Sequence, residues 1–354
     1  MQQNLPGGPK KMNNPKVSIV ITTRNRPRLL ALAIESVLAQ TYRNCDLHVI
    51  DDASSDKTPR VAADLLKDRK NAYYWRHSER KGLAAARNTA IAKVTGRYIA
   101  FLDDDDTWKP DCLQKRINLL MQLAPEHREK LGVIYCGCEV HIVNERRITY
   151  NMPKIQGNIR HNICTRDLST IPSSCLFPRA ALTRIGGFDE NLCSFIDHDI
   201  WMHLAAHGYY AFAVHEPLVT TYIGKNHSSM VAHIRQRIQG AEQYLAKWTP
   251  TLEQWLGSHH AKKYIQRYRT QVLGTLAATK FAQGELRDGC LLVRHITNRS
   301  HYSPTQLALL TRLVARRLLR SCVPPGMIDS FRKIVCKNRP APASAEICTQ
   351  TSQS

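Results

Sequence analysis

Long apolar runs are missing from this 354-residue chain. No stretch approaches the roughly 18 consecutive apolar residues that a membrane span needs. The opening MQQNLPGGPKKMNN likewise has no apolar core of the kind a secretory leader carries. A soluble, cytoplasmic protein is expected. CxxC pairs are also absent: the eleven cysteines are scattered, and Cys136 and Cys138 stand only two apart. That pattern matches neither a disulfide framework nor a zinc cage, so the thiols are read as reduced packing residues. No glycine follows the first β-branched run, where Thr22-Thr23-Arg24-Asn25-Arg26 stands in place of a GxGxxG turn, which excludes a dinucleotide-binding dehydrogenase. Zinc-finger spacing, a helix-turn-helix signal and an RNP-like aromatic run are all lacking, so no motif supports nucleic-acid binding.

What the chain does have is positive charge, unevenly spread. Residues 1–125 hold 21 basic and 13 acidic side chains, 126–230 hold 10 and 10, and 231–354 hold 19 and 6, giving +8, 0 and +13 of the total +21. A basic C-terminal third attracts phosphate or carboxylate fields, whether nucleic acid, anionic lipid or an acidic polymer. Charge alone does not choose among them. A basic nucleic-acid-binding protein without catalytic activity is therefore the alternative reading, although no nucleic-acid partner is expected.

From residue 16, short β-branched runs alternate with amphipathic stretches, the signature of βαβ units and a largely parallel sheet. Strands are predicted at Val17–Thr22, Asp46–Asp51, Ala72–Trp75 and Arg97–Leu102. Helices are predicted from Pro27 to about Gln40, after the capping residues Ser54, Ser55 and Asp56, and over Leu83–Lys93. Beyond about Met230 the β-rich runs stop, and Ala232–Gly289 and Ser303–Arg320 read as helices. The expected organisation is a mobile tail over 1–15, a catalytic domain over 16–230, a basic helical region over 231–337 and a second mobile tail over 338–354.

The fourth strand runs into Asp103-Asp104-Asp105-Asp106, and the second ends in Asp51-Asp52. Open α/β sheets bind ligands beyond the carboxyl ends of their strands, so both acidic edges face one crevice. Adjacent aspartates at such an edge repel unless a cation neutralises them or water reaches them. Carboxylates suit Mg²⁺ or Mn²⁺, which complete their shells with water and phosphate, and a nucleotide diphosphate is the natural third party. The plainer reading of the four acids is a solvated loop with capping duty for the helix after Pro110.

Four segments carry a resemblance: VSIVITTRNRPRLLALAIESVLAQTY, HVIDDASSDKT, KGLAAARNTAIAKVTGRYIAFLDDDDTWKPD and IGGFDENLCSFIDHDIWMHLAAHG. In order and spacing they resemble the family 2 inverting glycosyltransferases, from about Val17 to Met230. The resemblance implies an α/β GT-A fold, a mixed and mostly parallel sheet flanked by helices, here followed by a helical C-terminal extension. It implies that Asp52 reads the nucleotide base with Thr23 and Asn25 beside it, and that Arg87 and Asn88 lie near the nucleotide. The Asp-x-Asp element falls on Asp103 and Asp105, with Asp103 or Asp104 on the ribose, Asp105 on the metal, and the register open by one. Asp197 matches the catalytic base and Asp199 a structural acid, while Ile196 stands where the family commonly has Glu. His227, in KNHSSM, matches a position that can complete the metal site with Asp103 and Asp105 or touch the diphosphate.

The function so implied is metal-dependent transfer of a sugar from a nucleotide-diphosphate donor, most simply a UDP-sugar, to an acceptor hydroxyl. The acceptor would be a glycan or a lipid-linked sugar in surface polysaccharide, lipopolysaccharide or glycoconjugate synthesis. Arg312, Arg316 and Arg320 recur every four residues opposite Leu307, Leu310, Val314 and Leu318, which suits a helix lying on an anionic membrane surface and a peripheral place on its inner face. A helix packing its Leu side on the catalytic domain explains the same pattern. Trp201, Trp248, Trp255, Tyr264 and Tyr268 are read as core before sugar platforms.

Overall fold

The computed structural model describes residues 14–143, 146–163, 171–223 and 234–298, with Ala308, Thr311, Arg312, Val314 and Ala315 beyond them. The chain runs β1 (Val17–Thr23), α1 (Pro27–Leu38), β2 (Cys45–Asp51), α2 (Thr58–Leu66), β3 (Ala72–Arg76), α3 (Leu83–Lys93), β4 (Tyr98–Asp103) and β5 (Asp106–Trp108). Next come α4 (Cys112–Gln122), α5 (Pro125–Glu129), β6 (Leu131–Ile142), β7 (Arg147–Asn151), β8 (Gly157–Asn158), α6 (Ile159–Ile163) and β9 (Cys175–Pro178). It continues with α7 (Arg179–Arg184), α8 (Ile196–Ala206), β10 (Tyr210–Ile223), α9 (Ile234–Leu256), α10 (Ser258–Ala282) and α11 (Leu286–Asn298).

β1 is buried at every position, which is why VSIVITT does not alternate apolar with polar. It lies between β2 and β4, parallel to both, and β3 continues the parallel set at the edge. The order is β3-β2-β1-β4-β9-β6-β10-β5, with β7 on β6 and β8 on β10. β9 runs antiparallel to β4 and β6, while the long β10 runs parallel to β6. The sheet is therefore mixed, with its longest ladders parallel, and helices flank it. The parallel strands deliver Thr23, Asp51 and Asp103 to one end of the sheet, where Thr23 pairs with Asp51 and Thr22 with Asp103.

Two sequence expectations need correction here. The four aspartates do not simply extend a strand end: Asp103 closes β4, and Asp106 opens β5, a short strand antiparallel to β10 through Asp106 and Thr221. A three-residue strand carries too little pattern to be read from the sequence. Nor do Ser54 and Ser55 cap α2, whose N-cap is Lys57 without a side-chain bond. Asp56 does accept from the Thr58 N–H at 2.9 Å.

The composition break near residue 230 marks the end of the strands, but the first compact unit runs on through α9 to Gln266. α9 packs on α8 because a buried acid draws its donors: Asp199 accepts from Trp248 Nε1 at 2.7 Å and from Lys247 Nζ at 2.9 Å. Lys247 also reaches Asp189 at 2.7 Å, and the Arg237 guanidinium lies 4.0 Å from the Phe195 ring centroid. The second unit begins at Arg267 and contains the rest of α10 and α11. Within it Phe281 packs against Gly289, and Lys280 pairs with Glu285 at 2.8 Å. Of the basic pattern over Ser303–Arg320, Ala308, Thr311, Arg312, Val314 and Ala315 are helical, and the remainder lies outside the described residues.

Gly240 marks the closest approach of α9 to the chain before α8: a Cβ there would lie 2.5 Å from Ser194 Cβ and 2.9 Å from its backbone nitrogen. Gly240→Ala is expected to lower stability by about 1–3 kcal/mol through overpacking, although alanine favours helix by about 1 kcal/mol. Chemical denaturation checks this; a stabilised variant would show that the contact is loose.

Candidate active site

The turn after β1 is tied to the turn after β2. Asn25 adopts φ 54°, a left-handed conformation that asparagine tolerates better than most residues. Its N–H donates to Ser54 Oγ at 2.9 Å, and its Oδ1 accepts from the Ser55 N–H at 2.8 Å. The Arg26 N–H donates to Thr58 Oγ1 at 3.0 Å. Turn chemistry thus accounts for the Asn25 oxygen. Thr23, buried at the end of β1, donates its hydroxyl to Asp104 Oδ2 at 2.7 Å.

Beyond β2, buried Asp51 accepts from the Ser54 N–H at 2.8 Å and from the Tyr74 hydroxyl at 2.5 Å. Asp52 accepts from the Lys81 N–H at 2.7 Å, the Gly82 N–H at 2.9 Å and His77 Nδ1 at 2.9 Å. Burial alone would raise its pKa, but these donors outweigh burial and hold the carboxyl below its ordinary value. Three donors leave Asp52 about one of its four lone-pair sites for any ligand.

The acids after β4 alternate in their surroundings. Asp103 and Asp105 keep side-chain exposures of 29% and 24%, whereas Asp104 and Asp106 are turned inward and buried. Ser173 braces the run: its hydroxyl accepts from the Asp103 N–H at 3.0 Å and donates to Asp106 Oδ2 at 2.6 Å. Burial, then the charges of Asp103 and Asp105, push Asp106 well above the carboxylate range. Burial likewise pushes Asp104 up to about 6, against the pull of Arg26. Arg26 Nη1 donates to Asp104 Oδ1 at 2.7 Å and to Asp105 Oδ2 at 3.2 Å.

Arg87 joins the two halves of the site. Its guanidinium is fully buried, donates from Nη2 to Asp103 Oδ1 at 2.7 Å and from Nη1 to Asp197 Oδ1 at 2.6 Å, and lies 5.1 Å from the Phe188 ring centroid. Burial disfavours its charge, but the two carboxylates prevail and raise its pKa. Asn88, next on α3, accepts from the Phe188 N–H and donates to the Phe188 carbonyl, both at 2.8 Å. It braces the turn that leads to α8. Asp197 lies in the first turn of α8, whose N-cap is Phe195 in a left-handed conformation at φ 64°, so the acid is not the cap. It sits beside apolar walls formed by Phe177, Phe188 and Trp201.

Asp199 is wholly buried in the α8–α9 contact already described. Trp201 is core, edge-on to Tyr135 at 5.2 Å, and Trp248 is buried on Asp199. Tyr264 is buried, and Trp255 carries Arg160 at 4.8 Å from its ring centroid. His227 lies outside the described residues. Among the described residues no three acid, histidine or cysteine side chains converge on a metal position. The donors nonetheless fit a hard divalent ion: Asp103 and Asp105, two residues apart, are partly exposed carboxylates, and such ions take one or two from the protein and the rest from phosphate and water.

Sequence reasoning passed over four contributors: Arg26, His77, Ser173 and the inward role of Asp106. Arg26 had a signal, since four acids at one strand end call for a cation and TRNRP occupies the neighbouring strand end. Ser173 had none, because it arrives from 70 residues away.

A pH dependence follows from Asp104. Its folded pKa of about 6 exceeds the ordinary carboxylate value, so the folded state binds more protons between about pH 4 and 6. This contribution to stability is fully present below about pH 4 and lost as pH rises through about 6. In metal-free buffer, wild-type stability relative to Asp104→Asn should fall by roughly 3 kcal/mol at most between pH 4 and 7. Denaturant midpoints across that range test it, and a constant difference would refute it.

The model of the family described as glycosyl transferase family 2 matches residues 18–185. A Rickettsia typhi protein named as an uncharacterized glycosyltransferase is 28% identical over 248 residues, covering 68% of this chain and 72% of its own. An Escherichia coli UDP-Glc:alpha-D-GlcNAc-diphosphoundecaprenol beta-1,3-glucosyltransferase is 33% identical over 148 residues, 40% of this chain and 55% of its own. Across the curated relatives compared, this chain spans from 27% to 74% of their lengths. The fold is similar to that of a Pyrobaculum calidifontis mannosyltransferase in complex with GDP-Man and Mn²⁺, with a TM-score of 0.55 and 21% identity, over 90% of this chain and 91% of that one. Residues 18–185, whose acidic strand ends gather on one sheet edge, thus match the family 2 glycosyltransferases.

Proposed function

We propose that the protein transfers a sugar, with inversion, from a nucleotide-diphosphate donor to an acceptor hydroxyl, using a divalent cation. One observation carries the reading: the Arg87 guanidinium holds Asp103, from the acidic strand end, and Asp197, from α8, at hydrogen-bond distance together. Two acids far apart in sequence thereby share one crevice, as attack at an anomeric carbon beside a diphosphate requires.

In this reading Asp52 and the β1 turn border the base end of the donor, and Asp103 borders its ribose and diphosphate. Asp103 and Asp105 would hold Mn²⁺ or Mg²⁺, with His227 proposed as a further ligand; such an ion supplies Lewis-acid stabilisation of charge developing on the leaving diphosphate. The chain's own residues do the rest. An acceptor hydroxyl is a poor nucleophile, so a positioned carboxylate must take its proton during attack. Arg87 engages Asp197 Oδ1, and we assign Oδ2 to the proton of the acceptor. The same contact fixes the position of Asp197 relative to the donor acids.

The choice of a UDP-sugar rests on the named donor of the Escherichia coli relative, and its diphosphoundecaprenol-linked acceptor supports a lipid-linked acceptor here. Such an acceptor suits a peripheral place on a membrane reached through the basic C-terminal helices; no helix among the described residues is long and apolar enough to cross one. Polysaccharide or glycoconjugate synthesis is the process proposed.

Asp197→Asn should retain donor binding by thermal shift and lose transfer by roughly 10²–10⁴-fold. Unchanged turnover would remove Asp197 as the base. Asp105→Ala should abolish Mn²⁺-dependent binding of UDP or GDP in calorimetry; retained binding would move the metal site elsewhere.

A further inference from the structure

Among the described residues, acids crowd the crevice. Asp103, Asp104, Asp105, Asp106 and Asp197 gather there, and two guanidinium groups, Arg87 and Arg26, pair with four of them. The two arginines are held differently. Arg87 is fully buried between its partners, while Arg26 keeps 23% side-chain exposure and grips its two carboxylates unequally, at 2.7 Å to Asp104 and 3.2 Å to Asp105. Its backbone is fixed, since its N–H is bonded to Thr58 and Asn25 before it is locked in a left-handed turn. Any adjustment therefore falls to the side chain, whose Nη1 makes both contacts, the one to Asp105 being the longer. Asp104 also accepts from the Thr23 hydroxyl, at 2.7 Å.

We propose that Arg26 is a built-in counter-cation of the acidic strand end, which competes with the divalent ion for Asp105 and sets how tightly that ion binds. The inference rests on the metal-dependent reading above and deepens it. Arg26 donates to Asp105 Oδ2 and neutralises part of the cluster's charge, and its own positive charge repels a divalent ion close by. With Arg26 tethered to Asp104, Asp105 is released to the ion without leaving the buried Asp104 uncompensated. Arg26 is thus a positioning residue, acting on affinity through Asp105.

The test measures Mn²⁺ binding to the full-length protein without nucleotide, by spin-resonance detection of free Mn²⁺, for wild type, Arg26→Gln, Arg26→Lys and Asp105→Ala. Circular dichroism establishes that each variant is folded. Arg26→Gln is expected to tighten Mn²⁺ at least about fivefold, because a competing cation is lost and local negative charge rises. Arg26→Lys, which keeps the charge on a compact, more strongly hydrated ammonium, should fall between. A structural role alone would leave affinity unchanged or weaken it. Unchanged or weaker Mn²⁺ binding in both Arg26 variants, with Asp105→Ala still abolishing the binding seen in wild type, overturns this inference and leaves the metal-dependent reading standing. If no variant binds Mn²⁺ even with UDP or GDP present, both fail.

Discussion

The arrangement depends on a guanidinium buried without solvent between two carboxylates. Arg87 costs several kcal/mol to desolvate, and only well-placed partners offset that cost. Asp103 and Asp197 supply them from different elements, so α3, the end of β4 and the start of α8 are held to a common geometry. Charge on Arg87 is sustained by its partners, and their positions are fixed by it. Removing either acid leaves the buried Arg87 charge short of compensation.

Around that centre the acids are sorted by environment. Asp52 is surrounded by N–H donors and held ionised, whereas Asp104 and Asp106 are turned inward and pushed toward protonation. Asp103 and Asp105 remain partly exposed. Chemically identical side chains in one run of four thus acquire different tasks, because strand, turn and strand aim successive residues in alternate directions. The inward pair brace the floor of the crevice through Thr23, Arg26 and Ser173, leaving the exposed pair to face a ligand.

The first four strands and their helices were legible because buried parallel strands read as continuous β-branched runs, and α3 was delimited correctly from Leu83 to Lys93. The short β5 was not legible. The helical character after residue 230 was also readable, yet the packing of α9 on α8 was not, since it turns on Lys247 and Trp248 finding an acid some fifty residues earlier. Asp199 was read as structural from its place in the motif, and its burial supplies the physical reason.

Sequence alone determined which side chains were available and that the acids end up on strand termini: the hydrophobic runs are local, and their ends are visible in the chain. The family resemblance was likewise written in four short segments. Only the tertiary structure decided which acid meets which cation. Arg26 and Arg87 are each one arginine among many in the chain, and the pairing of Arg87 with Asp197, 110 residues away, is created by the crossing of helix and sheet. Electrostatic partnership depends on distance in space and on exclusion of water, and neither quantity is a property of a residue's place in the chain.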